Sequence, residues 1–279
     1  MSGTQYVTPD LKRWLREQLI AGQSSVDLVQ SMIKAGWQQK IALEAVAQAK
    51  LDGWFKKEEA TPGVPDAAVR DGACVLDAGD REVQVLSAVE LPRVLVFGNL
   101  LSAEECEAII ELARPRMARS ETVAEDKEGS EVNMARTSRG MFFERGEAEV
   151  VARVEARIAR LLNWPLENGE GMQVLHYQPG AEYQPHYDYF DARHASTPSI
   201  LKRGGQRVGT LVMYLNTPKR GGATTFPDVK MAVQPIRGNA VFFSYPKPEP
   251  GTLTLHGGAP VLEGEKWVAT KWMRQGRFE

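Results

Sequence analysis

The sequence predicts a mainly β protein with flanking helices (α+β), in which a β-rich domain follows a small helical bundle. From Met172 onward, eight short β-type segments alternate with turns rich in glycine and proline, which is typical of a closed sandwich or jelly roll. No helical pattern alternates with these segments, so a fold built of βαβ units is not expected. Residues 1–55 instead carry apolar side chains at helical spacing.

The chain divides into three parts by its patterning. Three amphipathic segments, "TPDLKRWLREQLIAG", "SSVDLVQSMIKAGW" and "QQKIALEAVAQAKLDGW", predict a three-helix bundle over residues 1–55. Trp14, Trp37 and Trp54 are expected to build its small core. Residues 56–80 mix charges, prolines and glycines without periodicity and predict a linker. The second domain is expected to span residues 81–279.

The first half of the second domain predicts two strands, two helices and one polar loop. "REVQVLSAVELPRVLVFGNL" is β-rich, and the helix "SAEECEAIIELARPRM" follows with Ser102 and Glu105 at capping-box positions. "RGEAEVVARVEARIARLLNW" is a second amphipathic helix. Between the helices, Glu121 to Glu131 holds five acids against one lysine, which predicts a polar, mobile loop.

The composition of the 279 residues is that of an ordinary globular protein, with 43% hydrophobic and 25% charged residues. A net charge of −2 provides no electrostatic reason to expect binding to nucleic acid or to an acidic membrane. No apolar run approaches the length of a membrane span, and the first residues lack the apolar core of a secretory signal. Cys74 and Cys106 form no disulfide framework. We therefore expect a reduced, cytoplasmic protein.

The stretch "YQPGAEYQPHYDYFDARH" (177–194) concentrates metal-ligating residue types. His186 and Asp188 are two residues apart, and in an extended strand such residues point to the same face. His256, near the end of the predicted strand "GTLTLHGG", is the candidate third ligand. Two imidazoles and one carboxylate suit a non-haem Fe(II) that keeps open positions. Zinc hydrolases use the same donor set, so these three residues alone leave both metals possible.

Lys266, ten residues after His256, separates the iron and zinc interpretations. On the next strand its side chain could face the interior, where a charge is costly without an anionic partner. A dicarboxylate cosubstrate that chelates the metal through one end would offer its other carboxylate to this lysine. A hydrolytic zinc site has no such need, so Lys266 favours the iron interpretation.

Long segments of the chain resemble the prolyl 4-hydroxylases, a family of Fe(II)/2-oxoglutarate dioxygenases. The resemblance runs from about Pro92 to Arg274 and includes "ARTSRGMFF", "LENGEGMQVLHYQPGAEYQPHYDYF", "GGQRVGTLVMYLNTPKRGGATTFP", "RGNAVFFSYP" and "LHGGAPVLEGEKWVATKWM". It implies a double-stranded β-helix (jelly roll) core supported by N-terminal helices. It also implies hydroxylation of a peptidyl proline with release of succinate and CO2. The cofactors would be Fe(II), 2-oxoglutarate and O2, with ascorbate as a reductant.

The resemblance implies a role for nine residues of this chain. The catalytic iron ligands would be His186, Asp188 and His256; the distal carboxylate of 2-oxoglutarate would bind Lys266, helped by Tyr177 and Thr224; and the peptide would face Tyr183, Arg207 and Trp272. His176 and His194 match no ligand position. The acidic segment Glu121–Glu131 matches a loop that covers the bound peptide in the family. Ala259 stands where the family often has cysteine, which agrees with a reducing compartment.

Two other functions are compatible with these residues. The same cofactors could act on a free amino acid or a small metabolite, and an enclosed pocket rather than a groove would favour that substrate. Alternatively, the chain could be a catalytically silent binding protein whose N-terminal bundle recognises an unknown partner. The presence of the complete triad together with Lys266 argues against catalytic silence. The bundle lies outside the resemblance, so its role is not implied.

Overall fold

The chain separates into two compact units. The computed structural model describes residues 5–21, 23–54, 63–67, 69, 72–119, 122–123, 130–131 and 137–279. One unit comprises Met1–Glu59 with Val69–Ala73, and the other comprises Ala60–Ala68 with Cys74–Glu279. The predicted bundle over residues 1–55 falls in the first unit. The sheet of the second unit begins at Val75, inside the region predicted as a linker over residues 56–80. This first strand was not predicted because it is only three residues long and carries no periodic pattern.

The described part of the first unit contains three helices, α1 (Pro9–Ile20), α2 (Ser25–Lys34) and α3 (Gln39–Trp54). Thr8 and Ser24 cap α1 and α2, because each side chain accepts a hydrogen bond from a backbone N–H of the first turn. The shared core is formed by aliphatic side chains of all three helices: Leu15, Leu28, Val29, Met32, Ala42, Ala45, Val46 and Ala49.

The tryptophans contribute less to this core than predicted. Trp37 packs against the aliphatic cluster, but Trp14 is 40% exposed, so the expectation that it builds the core is wrong. Leu15, its neighbour in sequence, is fully buried instead, because adjacent helical positions point in different directions. The side chain of Trp54 lies outside the described residues.

The second unit is mainly β with flanking helices, as predicted. Its helices are α4 (Ala103–Ala113), α5 (Glu149–Leu161) and α6 (Thr197–Leu201). Its described strands are β1 (Val75–Asp77), β2 (Glu82–Val89), β3 (Arg93–Gly98), β4 (Ala118–Arg119), β5 (Thr122–Val123), β6 (Ser130–Glu131), β7 (Arg139–Phe143), β8 (Met172–Tyr177), β9 (Tyr183–His186), β10 (Arg207–Tyr214), β11 (Arg220–Gly221), β12 (Thr224–Phe226), β13 (Met231–Val233), β14 (Ala240–Ser244), β15 (His256–Gly258), β16 (Val261–Glu263) and β17 (Lys266–Arg274).

Two sheets enclose the core of this unit. The larger sheet has the order β1-β2-β3-β14-β10-β17-β8-β7-β4, and the smaller has the order β13-β12-β15-β9. One hydrophobic cluster combines Tyr214 and Val268 of the larger sheet with Phe226 and Val233 of the smaller. Because both sheets contribute inward-facing side chains to one cluster, they pack face to face, which is consistent with a jelly roll.

Seven of the eight β-type segments predicted after Met172 contain a strand. The eighth, "GTLTLHG", overlaps β15 only at His256 and Gly257, because Pro250–Thr252 form a short 3-10 helix instead. Two further strands, β11 and β16, pair with each other and escaped prediction, because two or three residues are too short to show alternation. Of the acidic segment Glu121–Glu131, the structure describes only β5 and β6, which pair Thr122 with Glu131 and Val123 with Ser130. The remainder of that segment lies outside the described residues, so its proposed covering role stays a prediction.

Helices α4 and α5 are joined through a buried charge network. The predicted capping box is confirmed, since Ser102 and Glu105 exchange side-chain and backbone hydrogen bonds. The Glu105 carboxylate also accepts two hydrogen bonds from Arg157 of α5, at 2.7 and 2.8 Å, and Arg157 binds Asp80 as well.

None of the described helices combines the length and apolarity that a membrane span requires.

Candidate active site

The strand register brings the three predicted metal ligands together. His186 ends β9 and His256 begins β15, and these two residues are paired across the antiparallel ladder. Asp188 follows His186 by two residues and is buried. One ligand atom from each side chain lies within 4.8 Å of the others, and this is the one such group of three among the described residues. The sequence prediction that the three residues form a single cluster agrees with this geometry.

Backbone carbonyls orient both imidazoles for metal binding. His186 Nδ1 lies 2.9 Å from the carbonyl oxygen of Gln184, and His256 Nδ1 lies 3.0 Å from that of Thr254. A carbonyl oxygen only accepts, so each Nδ1 carries the hydrogen and each Nε2 keeps its lone pair free. Burial lowers the pKa of His186, which favours this neutral, ligating form.

The carboxylate of Asp188 faces both Nε2 atoms. Its oxygens lie 3.6 Å from His186 Nε2 and 3.4 Å from His256 Nε2, longer than well-formed hydrogen bonds. Burial opposes ionisation of Asp188, but the positive charge that the neighbouring histidines carry when they are protonated, His256 above all, holds its pKa well below the usual value. A metal ion bound by the neutral imidazoles would supply positive charge at the same place. Two neutral imidazoles and one carboxylate fit Fe(II), and by donor type they also fit zinc.

Lys266 supplies a buried positive charge to the same cavity. It begins β17 opposite Tyr177 of β8, and its Nζ lies 5.3 Å from the Tyr177 ring centroid. Lys266 is 4% exposed, and burial lowers its pKa to about 8. No described carboxylate forms an ion pair with it. A buried ammonium without a protein counter-ion fits a ligand that brings a carboxylate of its own.

A second polar group of this pocket is Thr224, which begins β12. Thr224 lines the cavity together with Lys266 and Tyr177. The hydroxyl of Tyr214 donates to Thr224 Oγ1 at 2.8 Å, so the hydrogen of Thr224 remains available for another acceptor. Tyr214 was not predicted from the sequence, because a buried tyrosine at a strand end has the pattern of a packing residue.

Two of the three predicted peptide-facing residues line the cavity. The ring of Tyr183 stacks on that of His186 with centroids 3.7 Å apart, and Tyr183 and Trp272 both line the pocket. The indole Nε1 of Trp272 is buried and has no hydrogen-bond acceptor within the described chain. An unpaired buried donor beside a metal cluster is suited to an acceptor on a bound molecule.

Arg207, the third predicted peptide-facing residue, is engaged within the protein. Glu170 binds its guanidinium at 2.6 and 2.8 Å, and the guanidinium lies 4.0 Å from the centroid of the Trp272 ring. Arg207 is not among the residues that line the cavity. Glu170 was missed because nothing in its sequence context distinguishes a buried carboxylate.

The two remaining histidines lie outside the metal cluster. His176 Nε2 lies 2.7 Å from Glu265, and its ring stacks on Trp267. His194 follows β9 in the segment before α6, as expected from the sequence.

Comparison with known proteins defines the class to which this fold and site belong. The family model of the 2OG-Fe(II) oxygenase superfamily matches residues 172–274, a range that contains the triad and Lys266. Probable prolyl 4-hydroxylase 3 of Arabidopsis thaliana is 40% identical over 223 residues, which cover 72% of this chain and 75% of the relative. Prolyl 4-hydroxylase 5 of the same plant is 40% identical over 222 residues, which cover 72% of this chain and 74% of that protein.

A solved structure agrees with the sequence relatives. The 2OG complex of the viral collagen prolyl hydroxylase from Paramecium Bursaria Chlorella virus-1 superposes with a TM-score of 0.50 at 30% identity. The superposition covers 65% of this chain and 95% of the viral one. The chain belongs to the prolyl 4-hydroxylase family of the 2OG-Fe(II) oxygenases.

Proposed function

We propose that this protein hydroxylates proline residues of a peptide or protein, using Fe(II), O2 and 2-oxoglutarate. The observation that carries the proposal is the buried charge of Lys266, which lines the same cavity as the His–Asp–His cluster and lacks a described counter-ion. A hydrolytic zinc site would need the cluster but not the lysine. The names of the Arabidopsis relatives support proline as the substrate.

Each group around the cavity has a binding task in this proposal. His186, Asp188 and His256 hold the iron, and Lys266 binds the distal carboxylate of 2-oxoglutarate with help from Thr224 and Tyr177. When bound, the iron and 2-oxoglutarate supply the oxidising chemistry: O2 provides one oxygen to a substrate C–H bond and the other to succinate, with release of CO2. We include ascorbate as an external reductant on the strength of the family resemblance.

The protein's own contribution is to orient the reactants in a dry cavity. The ammonium of Lys266 neutralises the cosubstrate charge, and the Tyr214 hydroxyl aligns that of Thr224 toward the same end of the pocket. The stacked rings of Tyr183 and His186 restrict the movement of a metal ligand.

The substrate side of the cavity supports a peptide. A peptide offers backbone carbonyl acceptors, and the unpaired Nε1–H of Trp272 is a buried donor that one of them can satisfy. In this proposal the guanidinium of Arg207 holds the Trp272 ring in place by stacking on it, while Glu170 neutralises the charge of the arginine.

Two further features belong to the proposal. The helical unit is proposed to bind a partner, since Trp14 and Leu43 are exposed apolar side chains on it. A cytoplasmic location is proposed because neither Cys74 nor Cys106 forms a disulfide bond.

The test is succinate production with Fe(II), 2-oxoglutarate and a panel of proline-rich and basic peptides, followed by mass spectrometry of each peptide. One added oxygen on proline is expected in the wild type. Asp188→Ala should abolish the reaction, and His194→Ala, which removes a histidine outside the cluster, should leave it intact. Succinate formation that no peptide stimulates would instead favour a free amino acid or small metabolite.

A further inference from the structure

Two buried hydroxyls lie behind the carboxylate of Asp188. Thr210, a fully buried residue of β10, donates its hydroxyl hydrogen to Asp188 Oδ2 at 2.7 Å. The hydroxyl of Tyr245, just after β14, lies 2.9 Å from the same Thr210 oxygen. Tyr245 is also almost fully buried.

The direction of these two hydrogen bonds follows from the number of hydroxyl hydrogens available. An ionised carboxylate only accepts, so the single hydroxyl hydrogen of Thr210 is used on Asp188. The hydrogen between Thr210 and Tyr245 must then come from Tyr245. The hydrogen bonds therefore run from Tyr245 to Thr210 and from Thr210 to Asp188.

The Thr210 hydroxyl has a firmer support than the Asp188 carboxylate that it contacts. β10 pairs with β14 on one side and β17 on the other, and Thr210 lies opposite Phe243 and Trp272 in these ladders. Asp188 lies beyond the end of β9, in a segment without strand pairing. Its carbonyl oxygen accepts a long hydrogen bond of 3.4 Å from Arg207, but that contact leaves the side-chain torsions free.

We propose that Thr210, itself oriented by Tyr245, is a positioning residue that holds the Asp188 carboxylate toward the Nε2 atoms of His186 and His256. The inference rests on the metal site of the proposed function. Because the hydrogen bond occupies Oδ2, it leaves Oδ1 unshared for the metal and restricts rotation of the carboxylate. Partners of this kind orient metal ligands and typically change metal affinity by about 10- to 100-fold.

Binding of Mn(II) alone to the purified full chain tests this proposal without any turnover. The free Mn(II) signal in electron paramagnetic resonance measures the dissociation constant. Thr210→Val keeps the shape of the side chain and removes the hydroxyl, so it should weaken Mn(II) binding by about 10- to 100-fold. Thr210→Ser keeps the hydroxyl and should bind Mn(II) as the wild type does.

Thr197→Val is the matched control. Thr197 is also buried, and its hydroxyl donates to the carbonyl oxygen of Asp191 at 2.5 Å, so the control makes the same chemical change outside the cluster. Its Mn(II) affinity should equal that of the wild type. An equal loss in Thr197→Val, or an equal loss in Thr210→Ser, would overturn the proposal, because packing rather than the hydroxyl would then be responsible.

Wild-type affinity in a folded Thr210→Val protein would also overturn it. Should that variant fail to fold, Tyr245→Phe decides: weaker Mn(II) binding supports the chain of hydroxyls, and unchanged binding overturns it. A wild-type protein that binds no Mn(II) would refute the metal site itself, and with it the proposed function. That outcome differs from failure of the Thr210 proposal alone, in which the wild type binds Mn(II) and the variants bind it equally well.

Discussion

At the residue scale, Lys266 has a function that conflicts with stability. Its buried ammonium forms no ion pair with a carboxylate of the described protein. We expect Lys266→Met to stabilise the protein free of metal and cosubstrate by on the order of 1–3 kcal/mol at pH 7, because the substitution removes an unpaired buried charge. Urea denaturation measures this change.

The sign of this effect follows from the pKa of Lys266, which folding lowers from 10.5 to about 8. The unfolded chain binds more protons between these values, so wild-type stability rises with pH across that range. The advantage of Lys266→Met should be complete below pH 8 and vanish above about pH 10.5. A variant less stable than the wild type at neutral pH would contradict the prediction.

The same pKa predicts how cosubstrate binding depends on pH. The distal carboxylate needs a protonated Lys266, and the free protein loses this proton as the pH rises through about 8. The dissociation constant of 2-oxoglutarate on the Mn(II)-loaded protein should be constant below that pH and rise by about tenfold per pH unit above it. Titration calorimetry from pH 6.5 to 9.5 measures it, with Mn(II) binding alone as the control. A flat profile would separate Lys266 from the cosubstrate.

Tyr214 is expected to act on 2-oxoglutarate through Thr224. Tyr214→Phe removes the donor that orients the Thr224 hydroxyl, which should weaken 2-oxoglutarate binding by about fivefold, the value of one hydrogen bond. Binding of Mn(II) should not change. If both affinities fell together, Tyr214 would instead support the sheet as a whole.

At the element scale, β17 carries two buried lysines on opposite faces. Lys266 and Lys271 are five positions apart, an odd separation, so their side chains alternate across the sheet. Lys271 binds Glu155 of α5 and also donates to the carbonyl oxygen of Glu170. One lysine is therefore a candidate ligand-binding group and the other anchors a helix.

The helix-anchoring lysine predicts a stability change opposite to that of Lys266. Lys271→Met leaves the Glu155 carboxylate buried, with the Gly146 N–H as its remaining donor among the described residues. We expect a destabilisation of about 3–5 kcal/mol in urea denaturation. The double variant Glu155→Gln/Lys271→Met should be less destabilised, since it leaves no unpaired charge. Equal losses in the single and double variants would show that packing dominates.

At the scale of the whole molecule, the two units have separate cores. The buried residues of the helical cluster all lie on α1, α2 and α3, and every candidate site residue lies in the second unit. A protein beginning at Ala60 should therefore fold and retain Mn(II) and 2-oxoglutarate affinities within about threefold of the full chain. Loss of both affinities in a folded truncation would show that the helical unit supports the site.

The strands and the pairing of His186 with Asp188 were predictable from the sequence because both depend on local spacing. Alternation over several residues predicts a strand, and the i, i+2 spacing of His186 and Asp188 in an extended segment predicts a shared face. His256 and Lys266 were recognisable by residue type on glycine-flanked strands. Trp14 shows the limit of this reasoning, since an apolar residue at helical spacing still lies on the surface.

The sequence by itself thus determined the residue types, the local faces and the family resemblance that together define an oxygenase. Only the tertiary structure decided which buried polar side chains meet: Thr210 with Asp188, Tyr214 with Thr224, and Glu170 with Arg207. The physical reason is that these contacts depend on sheet register and on connections between distant segments. A threonine or tyrosine inside a strand has the same local pattern whether it packs a core or orients a ligand.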